Sequence, residues 1–135
     1  MKLTVFTDGA SRNNPGHAGI GIVIKKDGKT ILEISDYIGK TTNNIAEYMA
    51  AIRGLTEALI LGGTEIELFA DSELLIKQIK KEYRVKHEGL KPLYNQMLSL
   101  IKKLKVFKAK HIKREENREA DLLANKGVEK STGNR

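Results

Sequence analysis

The order in which strand-like and helix-like patterns follow one another constrains the fold of this chain most. Three short apolar segments come first, and the turn residues Asp27-Gly28 join the second segment to the third as a hairpin. From Asn44 the apolar residues recur with the period of a helix, which Gly62-Gly63 ends. Strands and helices alternate after that point. This order predicts an α/β fold in which helices cover a mixed sheet.

The same patterns predict where the elements begin and end. Strands are expected over residues 3–7, 19–25, 30–38, 65–70 and 106–113. Helices are expected over residues 44–61, 72–81, 92–104 and 115–130. The first strand should stop at a turn formed by Asp8-Gly9. Residues 1–130 then form one domain, and residues 131–135 are expected to be a disordered tail.

Length and charge limit the classes of function. The chain has 135 residues and no cysteine, which predicts a single domain without disulfides or structural zinc. It has no long apolar run, so we expect a soluble, cytoplasmic protein without a membrane partner. Lys and Arg outnumber Asp and Glu by 24 to 17, a net charge of +7 that suits a phosphate backbone. With no Trp and few aromatic residues, a duplex fits better than stacked single-stranded bases.

Four acidic residues, Asp8, Glu47, Asp71 and Asp121, lie in four separate segments. Asp8 and Asp71 each follow a predicted strand, and the helix between those strands predicts that they run parallel and end at one edge of the sheet. The crevice beyond such an edge is where α/β folds bind ligands. Glu47 lies about one turn into its helix and Asp121 near the start of the last helix. Both can therefore lean over the same crevice.

Carboxylates gathered in one crevice repel one another, and a bound cation or a raised pKa relieves the repulsion. Mg²⁺ prefers such oxygen ligands, and two ions can activate water against a phosphodiester. Taken singly, Asp8 is equally well explained as a turn residue, and Asp71 is better explained as a helix cap. Glu47 and Asp121, taken singly, are ordinary exposed helical charges. The joint pattern favours a metal site that cuts nucleic acid.

The motifs around these residues resemble those of type 1 ribonuclease H over nearly the whole chain. They are FTDGAS (6–11) with NPG (14–16), TTNNIAE (41–47), ADS (70–72), and ENREAD (116–121) with LA (123–124). The resemblance implies a five-stranded mixed sheet flanked by helices. It also implies an endonuclease that hydrolyses the RNA strand of RNA–DNA hybrids and leaves 3′-hydroxyl and 5′-phosphate ends. A monomer is expected on the same ground, and no protein partner can be inferred.

The resemblance also implies roles for single residues. Asp8, Glu47, Asp71 and Asp121 would be catalytic and hold two Mg²⁺ ions, with Mn²⁺ as an alternative. By the same analogy Gly9, Asn14, Asn43 and Asn44 approach the minor groove of the hybrid, and Thr42 helps to hold a DNA phosphate. A 2′-hydroxyl contacted in a wide minor groove distinguishes RNA from DNA. The alternative for residues 14–16 is an ordinary turn.

The sequence departs from better-known bacterial members in three ways. No His lies in the connection at residues 113–116, and His111 falls inside the predicted strand, where a packed or edge-facing side chain is expected. The segment 82–91 is too short for the basic helical handle of some members, so the chain resembles the short members without it. Glu73 stands where many relatives have Gln. The basic residues that could replace the handle, or form only a solvated helix face, are Lys77, Lys80, Lys81, Arg84 and Lys86.

Two other readings compete with the ribonuclease. One is a relative that binds hybrid or duplex but has lost turnover, against which the four intact carboxylates count. The other is a recombinase or integrase domain on the same kind of sheet, which generally uses a Glu on a late helix where this chain has Asp121.

Overall fold

A computed structural model describes residues 1–133 and contains one five-stranded sheet with the strand order β3-β2-β1-β4-β5. β1 pairs antiparallel with β2 and parallel with β4, β2 pairs antiparallel with β3, and β4 pairs parallel with β5. The strands are β1 (Lys2–Ser11), β2 (Gly16–Lys26), β3 (Lys29–Thr41), β4 (Glu65–Ala70) and β5 (Val106–His111). The predicted mixed sheet is confirmed.

Four α-helices accompany the sheet within the described residues. They are α1 (Asn43–Ile60), α2 (Glu73–Ile79), α3 (Lys91–Ile101) and α4 (Arg118–Gly133), with a short 3₁₀ turn at Arg114–Glu116 before α4. No helix of residues 1–133 is long and apolar enough to cross a membrane.

The two faces of the sheet are covered by different helices. α1 packs on one face against β1 and β2, with α3 outside it, while α4 packs on the other face against β1, β2 and β3. Gly19 and Gly21 of β2 make the second contact possible, because a Cβ atom at either position would overlap the backbone of α4. The close approach brings the first turn of α4 to the open end of the central strands. Leu3, Val5, Ile22, Leu55 and Leu68 are fully buried in the core between the sheet and α1.

The predicted end of the first strand was wrong. β1 does not stop at Asp8-Gly9 but continues to Ser11, because β2 still offers an antiparallel partner there, with Asp8 opposite Gly21. The parallel pairing with β4, in contrast, ends at the pair Thr7 and Ala70. Asp8 is therefore a strand residue that is still paired with β2 but lies just beyond the end of the pairing with β4.

The predicted helix boundaries need smaller corrections. α2 ends at Ile79, and Lys81 has a left-handed backbone with φ 65°, so the helix cannot continue as far as predicted. β5 ends at His111, and the 3₁₀ turn fills the place where we expected α4 to begin. α4 runs through Gly133, so the helix extends past its predicted end at residue 130. Residues 134–135 lie outside the described residues.

Candidate active site

Asp8 and Asp71 lie side by side at the carboxyl edge of the two central parallel strands. Their register follows from the sheet, because Thr7 and Ala70 form the last parallel pair and Asp8 and Asp71 are the next residues along each strand. The prediction that these two side chains meet at one edge is thereby confirmed.

Asp71 does not cap α2. Ser72 is the capping residue, and its hydroxyl oxygen accepts the Leu75 N–H at 3.2 Å, so the alternative reading of Asp71 was wrong. His111 is the last residue of β5, the strand next to β4, and its ring Nε2 lies 3.3 Å from the main-chain oxygen of Asp71. His111 is an exposed side chain on the edge strand, in agreement with the edge-facing position expected for it.

Glu47 reaches the same edge from the first turns of α1. Gly9 lets α1 come close to β1, since a Cβ atom there would overlap the backbone of Ala46 and Glu47. The Gly9 N–H donates a hydrogen bond of 2.8 Å to Oε1 of Glu47. This bond fixes the carboxylate beside Asp8, and both side chains are almost completely buried, at 5% exposure each. Glu47 is therefore not the exposed helical charge that its position alone suggested.

The fourth carboxylate, Asp121, reaches the same crevice from α4. Asp8, Glu47 and Asp71 offer oxygen atoms within 4.8 Å of one another, a group that does not include Asp121. The cavity has a volume of about 400 Å³. Its lining consists of Asp8, Gly9, Ala10, Ser11, Asn43, Glu47, Asp71, Arg114, Asp121 and Asn125. All four predicted carboxylates thus meet in one open crevice.

The carboxylates alter one another's ionisation. Burial raises the pKa of Asp8 well above its ordinary value, and the charges of Glu47, Asp71 and Asp121 raise it further. Burial and the charge of Asp71 also raise the pKa of Glu47, while the hydrogen bond from Gly9 acts in the opposite direction. Without a counter-charge, the site therefore holds protons near neutral pH.

These residues fit a hard divalent cation. The donors are carboxylate oxygens, three of them from different side chains lie close enough to share one ion, and two side chains are buried with raised pKa values. A cation would replace the protons and remove the repulsion. The crevice is therefore a candidate metal site.

The residues predicted to contact a nucleic acid form a hydrogen-bonded surface next to this crevice. Asn14 accepts the main-chain N–H of Asn43 through its Oδ1 at 2.8 Å, and Asn43 accepts the Ser11 N–H through its Oδ1 at 3.2 Å. These bonds tie the β1–β2 loop to the start of α1. Asn14 and Pro15 lie in the bend between the two strands and Gly16 already belongs to β2, while the Asn14 residue is exposed and in place to meet a ligand.

Thr42 and Asn44 lie at the N-terminal end of α1. The Thr42 hydroxyl oxygen accepts the Ile45 N–H at 3.2 Å and so caps the helix. Asn44 is exposed beside it. The positive end of the α1 dipole favours an anion such as a phosphate at this place.

Four lining residues were not among the predicted site residues, namely Ala10, Ser11, Arg114 and Asn125. Two of them contact Asp121. Arg114, in the 3₁₀ turn, points its Nη2 at Oδ1 of Asp121 over 3.5 Å. Asn125, one turn after Asp121 on α4, donates from Nδ2 to the main-chain oxygen of Asp121 at 2.9 Å. The i, i+4 spacing could have indicated Asn125, but nothing in the sequence indicated which of many basic residues faces the site.

Residues 80–90, which include the segment that we expected to be too short for a basic handle, contain no helix. Lys77 is not a free positive charge there, because its ammonium lies 3.3 Å from Oε1 of Glu73 and 4.8 Å from the ring centre of Tyr83. The exposed carboxylate of Glu73 is thus paired on the same face of α2.

Comparison with known proteins agrees with this geometry. Residues 6–127 match the family model described as reverse transcriptase-like. A ribonuclease H of Legionella pneumophila (strain Paris) is 32% identical over 146 aligned positions, which cover 96% of this chain and 98% of that protein. The chain belongs to the ribonuclease H family.

Two solved structures of the family superpose on almost the whole chain. One is the N-terminal RNase H domain of Rv2228c from Mycobacterium tuberculosis, with TM-score 0.92 and 37% identity over 95% of this chain and 99% of that one. The other is LC11-RNase H1 in complex with an RNA/DNA hybrid, with TM-score 0.91 and 39% identity over 96% and 98%. The full-length Rv2228c, named a bifunctional protein, is 40% identical, but this chain spans only 36% of its length.

The raised pKa of Asp8 predicts a pH-dependent loss of stability in the metal-free protein. In the folded protein the pKa of Asp8 lies above its ordinary value of 3.8, so the unfolded chain releases the Asp8 proton at a lower pH than the folded protein does. The free energy of unfolding should therefore fall as the pH rises above 3.8. Asp8→Asn removes the charge, and in chelator at pH 8 it should be more stable than the parent by on the order of 2 kcal/mol. Urea unfolding at pH 5 and pH 8 measures the free energy of unfolding of the parent and of the variant.

Asp27→Asn, in the exposed β2–β3 turn, is the matched control and should follow the parent at both pH values. Equal stability of Asp8→Asn and the parent at pH 8 would contradict the repulsion described for the crevice.

Proposed function

We propose that this chain is a ribonuclease H that hydrolyses the RNA strand of RNA–DNA hybrids and leaves 3′-hydroxyl and 5′-phosphate ends. The observation that carries the proposal is the crevice in which Asp8, Glu47, Asp71 and Asp121 meet at the carboxyl edge of β1 and β4. Support also comes from the likeness to LC11-RNase H1, which was solved with a hybrid.

Asp8, Glu47, Asp71 and Asp121 would hold two Mg²⁺ ions, or Mn²⁺ in their place. When bound, the ions supply a more acidic attacking water and charge stabilisation of the leaving oxygen. The chain contributes the placement of the ligands. Gly9 holds Glu47 by its main-chain N–H, and the sheet register holds Asp8 beside Asp71, so little reorganisation is needed when the ions and the substrate bind.

Substrate selection is proposed to come from the surface beside the crevice. Gly9, Asn14, Asn43 and Asn44 would lie along the minor groove, where small polar groups can reach a 2′-hydroxyl. Thr42 and the N-terminal end of α1 would hold a phosphate of the DNA strand. The net charge of +7 supports attraction of the duplex as a whole.

The remaining parts of the proposal come from the sequence. Residues 1–130 would form the catalytic domain, and the protein would act as a monomer in the cytoplasm. The runner-up is a relative that binds hybrids without turnover. Metal-dependent cleavage separates the two.

Asp71→Asn tests the metal ligands. The amide keeps the shape of the side chain but loses the negative charge, so we expect unchanged folding and hybrid binding with at least about 100-fold slower cleavage. The matched control is Glu73→Gln, which removes an exposed carboxylate two positions away and should keep the cleavage rate. If Asp71→Asn cleaved the hybrid at the parental rate under single-turnover conditions, Asp71 would not be a metal ligand.

Asn44→Ala tests the groove contacts. Loss of one exposed hydrogen-bonding side chain should weaken hybrid binding about 5-fold and leave the cleavage rate at saturation unchanged. The control is Asn95→Ala on the exposed face of α3. If Asn44→Ala kept its affinity and lost the chemical step, the groove contacts would be misplaced.

A further inference from the structure

The position of Asp121 depends on how the start of α4 is attached to the sheet. Asp121 must meet Asp8, which lies on a different element far away in the chain. Asn117, immediately before α4, makes the attachment, since its side-chain Nδ2 donates a buried hydrogen bond of 2.9 Å to the main-chain oxygen of Thr7. Thr7 directly precedes Asp8 and is the last residue of β1 that pairs with β4.

A second hydrogen bond continues this connection to Asp121 itself. The main-chain oxygen of Asn117 accepts the N–H of Asp121 at 3.0 Å. Thus two consecutive hydrogen bonds join Thr7, beside Asp8, to the backbone that carries Asp121. A shift of this connection would move one carboxylate relative to the other.

Asn117 is buried, and only one of its two side-chain polar atoms has a hydrogen-bond partner within residues 1–133. It is 2% exposed, and its amide oxygen, like the hydroxyl oxygen of Thr7, has no hydrogen-bond partner within residues 1–133. A buried polar atom without a hydrogen-bond partner destabilises the folded state. The bond to the Thr7 oxygen is the one side-chain hydrogen bond that Asn117 makes within the described residues.

We propose that Asn117 is a positioning residue, which sets the separation of Asp121 from Asp8 through Thr7 and thereby the affinity of the crevice for its divalent cations. Asn117 is not among the residues that line the crevice. The inference rests on the proposed function of the crevice, and it assigns Asn117 to the connection between its two sides.

The chain offers a matched control for the loss of this bond. Ser35 of β3 donates from its hydroxyl to the main-chain oxygen of Leu123 at 2.6 Å and so ties the same helix to the same sheet. Ser35 lines no part of the crevice. Ser35→Ala therefore removes a helix-to-sheet hydrogen bond without touching the connection to Asp121.

The test measures metal binding by the rise of the thermal midpoint with increasing Mg²⁺ or Mn²⁺ concentration, which needs no catalysis. Asn117→Ala should raise the half-saturating metal concentration about 10- to 100-fold, as expected for a residue that orients a ligand. Ser35→Ala should leave it within about 2-fold of the parent, even where both variants lower the metal-free midpoint. In cleavage assays Asn117→Ala should lower kcat and keep the KM for the hybrid.

An equal metal dependence in Asn117→Ala and Ser35→Ala would overturn the inference, because a purely structural role predicts that result. Should Asn117→Ala not fold, Asn117→Ser takes its place, since its hydroxyl is too short to reach the Thr7 oxygen. If the parent bound metal but did not cleave hybrids, the proposed function would fail, and the metal titrations would still decide the role of Asn117.

Discussion

Repulsion between carboxylates buried at the open end of two parallel strands is the constraint on which this structure depends. Asp8 and Glu47 are almost completely buried beside Asp71, in a place where desolvation and like charge both oppose ionisation. The fold maintains this arrangement through the register of β1 with β4 and the bond from Gly9 to Glu47. A divalent cation bound between these carboxylates would neutralise their repulsion and stabilise the cluster.

The charge around the crevice explains why such a cluster suits a nucleic-acid enzyme. The chain is basic overall, yet the crevice itself is acidic, with Arg114 as the single basic residue in its described lining. The basic exterior attracts a polyanion over a long range, whereas the acidic centre would repel its phosphates unless cations intervene. We therefore expect the basic exterior to carry most of the binding of the duplex and the cations to place a phosphate in the crevice.

The sequence predicted the sheet and the meeting of the four carboxylates because both follow from periodicity and from where strands end. It misplaced the end of β1, since the apolar pattern stops at Thr7 while the pairing with β2 continues to Ser11. It also missed Arg114 and the connection from Asn117 to Thr7. Those contacts join residues about a hundred positions apart or depend on a 3₁₀ turn, and no local pattern specifies them.

The most direct test of the central claim is the cleavage of an end-labelled RNA strand paired to DNA, with Mg²⁺ or with chelator, beside RNA–RNA and DNA–DNA duplexes of the same sequence. The account predicts cutting that requires the metal, is confined mainly to the hybrid and leaves 3′-hydroxyl ends. Binding of the hybrid without any cutting in Mg²⁺ or Mn²⁺ would contradict it and would identify a relative that recognises hybrids without hydrolysing them.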